Sequence, residues 1–428
     1  MLSQTSSPQR KSAWTRISSR RSGAAAGKTP ATPTTPTTTT TTTVAFGTTV
    51  TSPSRPPTGR PSTTTPSSRE GRSSTPHHHH TPTPTTTTSS LHAHSTRAKY
   101  EHLLATRNTT DADLRDNLRK LRRLILSDGL PSDASDAPNS VLDCSLRGRV
   151  WKVLLGIYRL SATEYTSLVE RGPASSVVYE KIKNDTFRTL ATDKRFLAKV
   201  DEHMISRVLN AFVNKMMDVP PSRLLNLTYT YVQGMNVLAA PFLYVMPELD
   251  AFYTFTAFVQ NACPLYVQPA LEGVHCGLRL LDKCFQVCDP ILYRYLKSKK
   301  LTAKLYAFPS VLTFSACTPP LPPVLHLWDF LLAHGPHLNL LCIIAQLLLI
   351  RSELLASPQP MKLLRTFPEI DAKRVVQVTV GLVARLPEDL YDMLVRHPFD
   401  AGIYDVVMGE VGEDGGEAGE GGMEWAEA

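Results

Sequence analysis

Apolar residues recur at helical spacing over residues 142–403, and prolines stand between the stretches that carry them. Apolar side chains three and four residues apart, or apolar runs of helix length, predict buried or half-buried helices. The predicted helices are 150–160, 196–217, 239–246, 251–262, 274–300, 337–355 and 372–386. Pro290 should divide one of them, because proline lacks the amide hydrogen that a helix interior uses. No stretch alternates like a half-buried strand, so the predicted fold class is all-α with many short helices.

A further helical segment is predicted ahead of this region, over residues 99–135. Thr110 and Asp113 have the spacing of a capping box, with aspartate in place of the usual glutamate. The apolar residues that follow fall on one helix face: Leu114, Leu118, Leu121 and Ile125. Gly129 and Pro131 then end the helix.

Two tails flank the helical region. Residues 1–98 are mostly Thr, Ser, Pro, Arg and Ala, and residues 404–428 are acidic and rich in Gly and Glu. Such compositions bury too little apolar surface to offset the entropy lost on ordering, so both tails are predicted to be disordered. The principal domain is then expected over residues 136–403. The Ser-Pro and Thr-Pro pairs of the first tail fit either phosphorylation by proline-directed kinases or a low-complexity composition.

The net charge of +8 belongs to the first tail. Residues 1–97 carry eleven Lys and Arg and one acid, whereas the rest of the chain carries 35 basic and 37 acidic residues. A nucleic-acid-binding fold normally places its positive charge on folded elements. No nucleic-acid partner is therefore predicted for the folded region.

The seven cysteines accompany no apolar signal segment, which predicts reduced thiols in the cytoplasm. Cys284 and Cys288 suit one face of a helix, and no second ligand pair stands near them, so buried thiols are expected there and no metal site. The most apolar run, Leu338 to Ile350, is too short to cross a bilayer, so no membrane span is predicted.

The sequence contains no P-loop, nucleophile elbow, metalloprotease or kinase motif. If the chain catalyses a reaction, it therefore does so by completing the active site of another protein. Two short stretches supply candidate groups. Asp185 and Arg188 can pair on one helix face, which alone would be an ordinary surface salt bridge. Gln233 precedes Gly234 at an expected helix start, which alone would be an ordinary loop.

Four sequence blocks, in order along the chain, form a single pattern. They are Leu146-Arg147-Gly148-x-Val150-Trp151, Ile182-x-x-Asp185-x-x-Arg188, Tyr231-x-Gln233-Gly234 and Leu327-Trp328-Asp329-Phe330. This pattern resembles the TBC-domain GTPase-activating proteins over roughly residues 114–400. The stretch from Tyr231 to Leu243 is most similar to the fungal subunit of that family that restrains mitotic exit or septation. The resemblance implies a two-lobed, all-α domain.

The resemblance also implies a role for each matching residue. Arg188 and Gln233 would be two catalytic fingers that enter the active site of a GTPase. Asp185 would position Arg188, and Gly234 would let the backbone approach closely. Supporting or structural roles are implied for Tyr231, Asn236, Arg147, Trp151, Trp328 and Asp329.

A small Rab-like GTPase is the implied partner, and it would carry the GTP and Mg²⁺, so the chain would need no cofactor of its own. A scaffold subunit of a two-component complex and a location at the spindle pole body are also implied. Two alternatives stay open: a non-catalytic GTPase-binding subunit that acts with a partner, and a helical scaffold at the spindle pole whose tails carry the function.

Overall fold

A computed structural model describes residues 86–108, 110–131, 144–220, 227–365 and 367–409. The tails predicted to be disordered lie outside these residues, except for 86–98 and 404–409. Every regular element within the described ranges is a helix, and none of these residues forms a strand. The prediction of an all-α fold with many short helices is confirmed.

The first group of helices runs to residue 262. It comprises α1 (Thr86–Ala105), α2 (Asp111–Ser127), α3 (Leu146–Leu154), α4 (Ala162–Glu170), α5 (Ser176–Thr186), α6 (Lys194–Leu197), α7 (Glu202–Met217), α8 (Met235–Val245) and α9 (Glu248–Ala262). Helices α4, α5, α8 and α9 all pack against α7. Helix α7 can take this central place because its apolar side chains, from Ile205 to Met216, are buried.

The second group follows a short 3-10 helix, Pro264–Val267. It comprises α10 (Glu272–Cys288), α11 (Pro290–Ser298), α12 (Ala303–Tyr306), α13 (Phe308–Leu312), α14 (Leu321–His334), α15 (Asn339–Leu349), α16 (Arg351–Ala356), α17 (Pro360–Arg365), α18 (Ala372–Val383), α19 (Glu388–Arg396) and α20 (Ala401–Gly409). Helix α10 contacts α11, α13, α15 and α20, and α14 packs against both α18 and the first group. The two groups match the predicted two-lobed architecture.

The local signals in the sequence fix several helix ends. Pro290 is the first residue of α11, and Asp289 both ends α10 and caps α11 by accepting a hydrogen bond from the amide of Leu292 at 2.9 Å. The capping box forms at the start of α2, where Thr110 Oγ1 accepts from the amide of Asp113 at 3.1 Å. The division of 274–300 at proline and the start of α2 were therefore predicted correctly.

Other boundaries differ from the prediction. Helix α1 begins at Thr86, well before residue 99, and α20 continues past residue 403 to Gly409. The predicted helix 196–217 is divided into α6 and α7, because Asp201 caps the second helix. Neither α1 nor α20 has a regular spacing of polar and apolar residues that would mark its bounds in the sequence. Tertiary contacts hold α1 instead: Tyr100 of α1 is buried, and its hydroxyl donates to the carbonyl of Gly129 at 3.0 Å.

A buried ion pair joins the two groups. Arg147 of α3 and Asp329 of α14 are each almost fully buried, with Nε of Arg147 3.1 Å from Oδ1 of Asp329. The indole Nε1 of Trp151 donates to the same carboxylate oxygen at 2.8 Å. The rings of Trp151 and Trp328 lie 5.9 Å apart, and Nε1 of Trp328 donates to the carbonyl of Phe314. The four residues expected to be structural thus lie together where the two groups meet.

No helix among the described residues is long and apolar enough to cross a membrane. Within the same residues, no three His, Cys, Asp or Glu side chains come together as a metal site would require. Cys284 and Cys288 are both buried thiols of α10.

Candidate functional site

The turn that follows α5 presents Arg188 to solvent. Helix α5 starts at a serine cap, where Ser175 Oγ accepts from the amide of Val178 at 3.2 Å. Its inner face buries Ile182 and Asp185. Arg188 lies just beyond the helix, with 45% of its side chain exposed and Nη2 2.5 Å from Oδ1 of Asp185. The predicted pair is present, with its acid inside the protein and its cation on the surface.

A second turn presents Gln233. Gly234 has φ +99°, a left-handed conformation that residues with a Cβ rarely adopt, and it starts α8. A Cβ at Gly234 would lie 2.8 Å from Cδ2 of Leu312. Gly234 therefore permits both the turn and the close approach to α13. Gln233 is exposed on this turn, as the sequence predicted.

A buried hydrogen-bond network links the two turns. The hydroxyl of Tyr231 lies 2.5 Å from Oδ2 of Asp185, so the two oxygens of this carboxylate are held by Tyr231 and Arg188. Nδ2 of Asn236 donates to Oγ1 of Thr189 at 2.9 Å and to the carbonyl of Asp185 at 3.2 Å. The residues on either side of Arg188 are thus bonded to the residues on either side of Gln233.

Tyr231 acts in this network as a donor. Burial, and then the hydrogen bond to the Asp185 carboxylate, raise the pKa of Tyr231 well above its usual range. The phenol therefore keeps its proton at every physiological pH. Asp185, which is 5% exposed, receives one neutral and one cationic donor. A buried carboxylate is tolerated when it is paired and hydrogen-bonded in this way.

Two residues that sequence reasoning did not single out hold the Arg188 turn. Oδ1 of Asp193 caps α6 by accepting from the amides of Arg195 and Phe196, and its Oδ2 accepts from the amide of Leu321 at 2.7 Å. The hydroxyl of Thr189 donates to the carbonyl of Asp185 at 2.9 Å. An Asp before a helix can be read from sequence as a cap, whereas the bond to α14 joins residues 128 apart and has no local signal.

The Arg188 turn also contains an uncommon backbone conformation. Leu190 is buried and has φ +47°, in the left-handed region. A non-glycine residue there costs of order 1–3 kcal/mol and persists only where its surroundings fix it. The bonds of Thr189 and Asp193 on either side supply that constraint. The surrounding bonds therefore fix the conformation of the turn that presents Arg188 to solvent.

Comparison with known proteins places these features in a family. Residues 144–355 match the Rab-GTPase-TBC domain. The chain is 47% identical over 285 residues to cell division control protein 16 of Schizosaccharomyces pombe, an alignment that covers 66% of this chain and 89% of that protein. The chain belongs to the family of proteins with a Rab-GTPase-TBC domain.

A second relative and two solved structures agree. Mitotic check point protein BUB2 of Saccharomyces cerevisiae is 39% identical over 302 residues, covering 68% of this chain and 95% of that protein. The crystal structure of the Ypt/Rab-GAP domain of Gyp1p has a TM-score of 0.53 at 15% identity and covers 68% of this chain and 97% of that chain. The Chlamydomonas flagellar RabGAP TBC domain has a TM-score of 0.50 at 18% identity, over 69% and 93% of the two chains. At these identities the two structures show the fold.

The expected membership in the TBC family is confirmed. A TBC domain implies a small GTPase as the partner of this chain. The catalytic roles of Arg188 and Gln233, and the supporting role of Asp185, stay predictions.

Proposed function

We propose that the chain is a GTPase-activating protein that inserts Arg188 and Gln233 into the active site of a Rab-like GTPase. The observation that carries the proposal is the network of Asp185 and Tyr231, which fixes both turns while leaving the arginine and the glutamine on the surface. Both turns are bonded to this one buried residue, Asp185, so the backbone positions of the arginine and the glutamine are fixed relative to each other.

An arginine suits the task of stabilising the negative charge that develops during GTP hydrolysis. GTP hydrolysis spreads negative charge over the transferring phosphoryl group, and an arginine supplied by a second protein can raise the rate about 10³- to 10⁵-fold. Its guanidinium stays charged and offers several donors in a fixed fork. In the free chain Asp185 holds one of those donors, through Nη2. This contact would restrict the conformations of the side chain before the GTPase arrives, which lowers the entropy lost on binding.

A glutamine suits the task of orienting the attacking water. An amide both donates and accepts hydrogen bonds, so Gln233 can orient the attacking water while bonding to the phosphate or to the GTPase backbone. It would do so in place of the glutamine that the GTPase itself carries for this step. GTP and Mg²⁺ would both belong to the GTPase, and this chain would supply no cofactor.

The cellular role that we propose is the restraint of mitotic exit or septation. It is supported by the names of the two relatives, a cell division control protein and a mitotic check point protein, which the chain matches over most of their length. By the same relation we propose a cytoplasmic protein at the spindle pole body that acts with a scaffold subunit.

The test is GTP hydrolysis by purified Rab-type GTPases with the full chain. Arg188→Ala should lower the stimulated rate by about 10³-fold on the GTPase that the wild-type chain activates. Arg396→Ala is a matched control, because Arg396 is also paired with a nearby aspartate and its side chain is 47% exposed, against 45% for Arg188. It should leave the rate unchanged.

An unchanged rate with Arg188→Ala would refute the finger assignment. If the wild-type chain bound a GTPase and accelerated nothing, alone or with its scaffold, the non-catalytic alternative would replace the proposal.

A further inference from the structure

An open groove of about 490 Å³ lies beside Arg188. Its walls come from the Arg188 turn, from α6 and from the start of α7. Phe196 and Ile205 form a buried apolar floor, and Phe187 and Leu197 stand on the edge with 66% and 51% of their surface exposed. An exposed apolar patch rimmed by polar residues is a mark of a site of protein association.

The groove has the composition of a protein interface. Polar and charged residues line its outer part: Lys199, Asp201 and Glu202. An apolar centre with a polar rim is the usual arrangement of a site that binds another protein. Phe187 is a large exposed aromatic, and aromatic side chains supply much of the binding energy at such sites.

The position of the groove identifies its occupant. Phe187 precedes Arg188 in the chain, and Thr186 and Thr189 also line the groove. Consecutive Cα atoms are about 3.8 Å apart. An arginine that reaches the nucleotide of a bound GTPase therefore brings Phe187 against the GTPase surface that borders the nucleotide.

We propose that this groove is the docking site for the apolar side chains of the GTPase loop that borders the nucleotide, with Phe187 as the principal contact and Leu197 as a second one. The inference rests on the proposed function and adds to it the surface that selects the GTPase. The groove binds the GTPase before and during hydrolysis alike, so it should govern affinity and leave the chemical step to Arg188.

Single-turnover hydrolysis by a GTP-loaded Rab-type GTPase that the wild-type chain activates separates these two effects. With Phe187→Ala in the full chain, the concentration that gives half-maximal stimulation should rise at least about tenfold, the size expected of a central aromatic contact. The maximal rate should stay within about threefold of wild type. Phe187→Leu should recover part of the affinity. Leu197→Ala should produce a smaller loss of the same kind.

Ile291→Ala is the matched control, because Ile291 is a 56% exposed apolar residue of α11 and lies outside the groove. It should change neither quantity. Unchanged half-maximal stimulation with Phe187→Ala, while Arg188→Ala abolishes the rate, would overturn the docking site and leave the proposed function standing. Unchanged values for both variants would overturn the proposed function itself. A change in sedimentation of the isolated chain with Phe187→Ala, with GTPase affinity unaltered, would assign the groove to a second copy and also overturn the proposal.

Discussion

Asp185 is the residue on which the geometry of the candidate site depends. Its carboxylate meets Arg188 on one oxygen and Tyr231 on the other, and its carbonyl accepts from Thr189 and Asn236. The buried acid thereby joins the turn that carries the arginine to the turn that carries the glutamine. We infer that Asp185 and Tyr231 are positioning residues, since neither side chain is exposed.

Removal of the Tyr231 hydroxyl tests this inference. Tyr231→Phe keeps the ring and removes the donor to Asp185, which should lower the maximal stimulated rate about 10-fold and leave the half-maximal concentration nearly unchanged. The free energy of unfolding should fall by about 1–2 kcal/mol, since one buried acceptor loses its partner. Hydrolysis kinetics and urea denaturation measure the two effects.

Tyr253→Phe is the matched control, because the hydroxyl of Tyr253 also bonds a carboxylate, that of Glu164, at 2.5 Å outside the site. It should leave the maximal rate unchanged. An equal loss of rate in the two variants would mean that Tyr231 has no special link to the fingers.

The sequence predicts part of this geometry. The three-residue spacing of Asp185 and Arg188 was enough to propose their pairing. The bond from Tyr231 to Asp185 joins residues 46 apart, and no local pattern specifies such a contact. The left-handed turn at Gly234 could be anticipated from glycine, whereas that at Leu190 could not.

At the scale of elements, His397 connects the end of α19 to the 3-10 helix 264–267. It is fully buried, with Nδ1 2.7 Å from the carbonyl of Leu394 and Nε2 2.8 Å from the hydroxyl of Tyr266. A carbonyl only accepts, so Nδ1 carries the proton; the neutral ring then accepts from Tyr266 on Nε2. Burial lowers the pKa of His397 to about 4.

This pKa predicts a loss of stability in acid. The folded pKa lies below the ordinary value of about 6.5, so the unfolded chain binds the proton first as the pH falls. Between pH 7 and pH 4 the contribution of His397 should fall by up to about 3 kcal/mol. Burial raises the pKa of Asp282 to about 6, which gives the opposite slope over about pH 4–6. The pH dependence of the unfolding free energy must therefore be compared between the wild type and a variant that lacks His397.

His397→Gln isolates the histidine, since Asp282 is common to both proteins. The unfolding free energy of wild type minus that of the variant should decrease steadily from pH 7 to pH 4 in urea titrations. A difference that is independent of pH would contradict a neutral, buried His397.

The elements differ in how far the sequence could predict them. Helices with strong local signals, such as α2 with its capping box and α11 with Pro290, were predicted at the correct residues. The start of α1 was not, because residues 86–98 are polar and give no apolar periodicity. Its later turns are held by tertiary contacts. One of these is the ion pair of Glu101 with Arg149, which has two hydrogen bonds, of 2.5 and 2.8 Å.

For the whole molecule, the pair of Arg147 and Asp329 is a fully buried ionic contact between the two groups of helices. Asp329→Ala would leave a buried guanidinium without its carboxylate and remove the acceptor of Trp151. The free energy of unfolding should fall by about 3–5 kcal/mol. Stimulated hydrolysis per folded molecule should change much less, because neither side chain is on the surface.

Two further variants distinguish the stability lost through an unpaired buried charge from the stability lost through removed packing. Arg147→Met with Asp329→Leu should be more stable than Asp329→Ala alone, because no uncompensated charge remains. Asp392→Ala, which breaks an exposed pair with Arg396, should cost less than about 1 kcal/mol. Equal costs for Asp329→Ala and Asp392→Ala would show that the buried pair does not hold the two groups together.

The most direct test of the two-finger mechanism uses a GTPase whose own water-orienting glutamine is replaced by alanine. Single-turnover hydrolysis is measured with the wild-type chain and with Gln233→Ala. If Gln233 orients the water, the wild-type chain should accelerate hydrolysis on this GTPase nearly as well as on the unmodified one, and Gln233→Ala should accelerate neither. A wild-type chain that activates only the unmodified GTPase would contradict the mechanism.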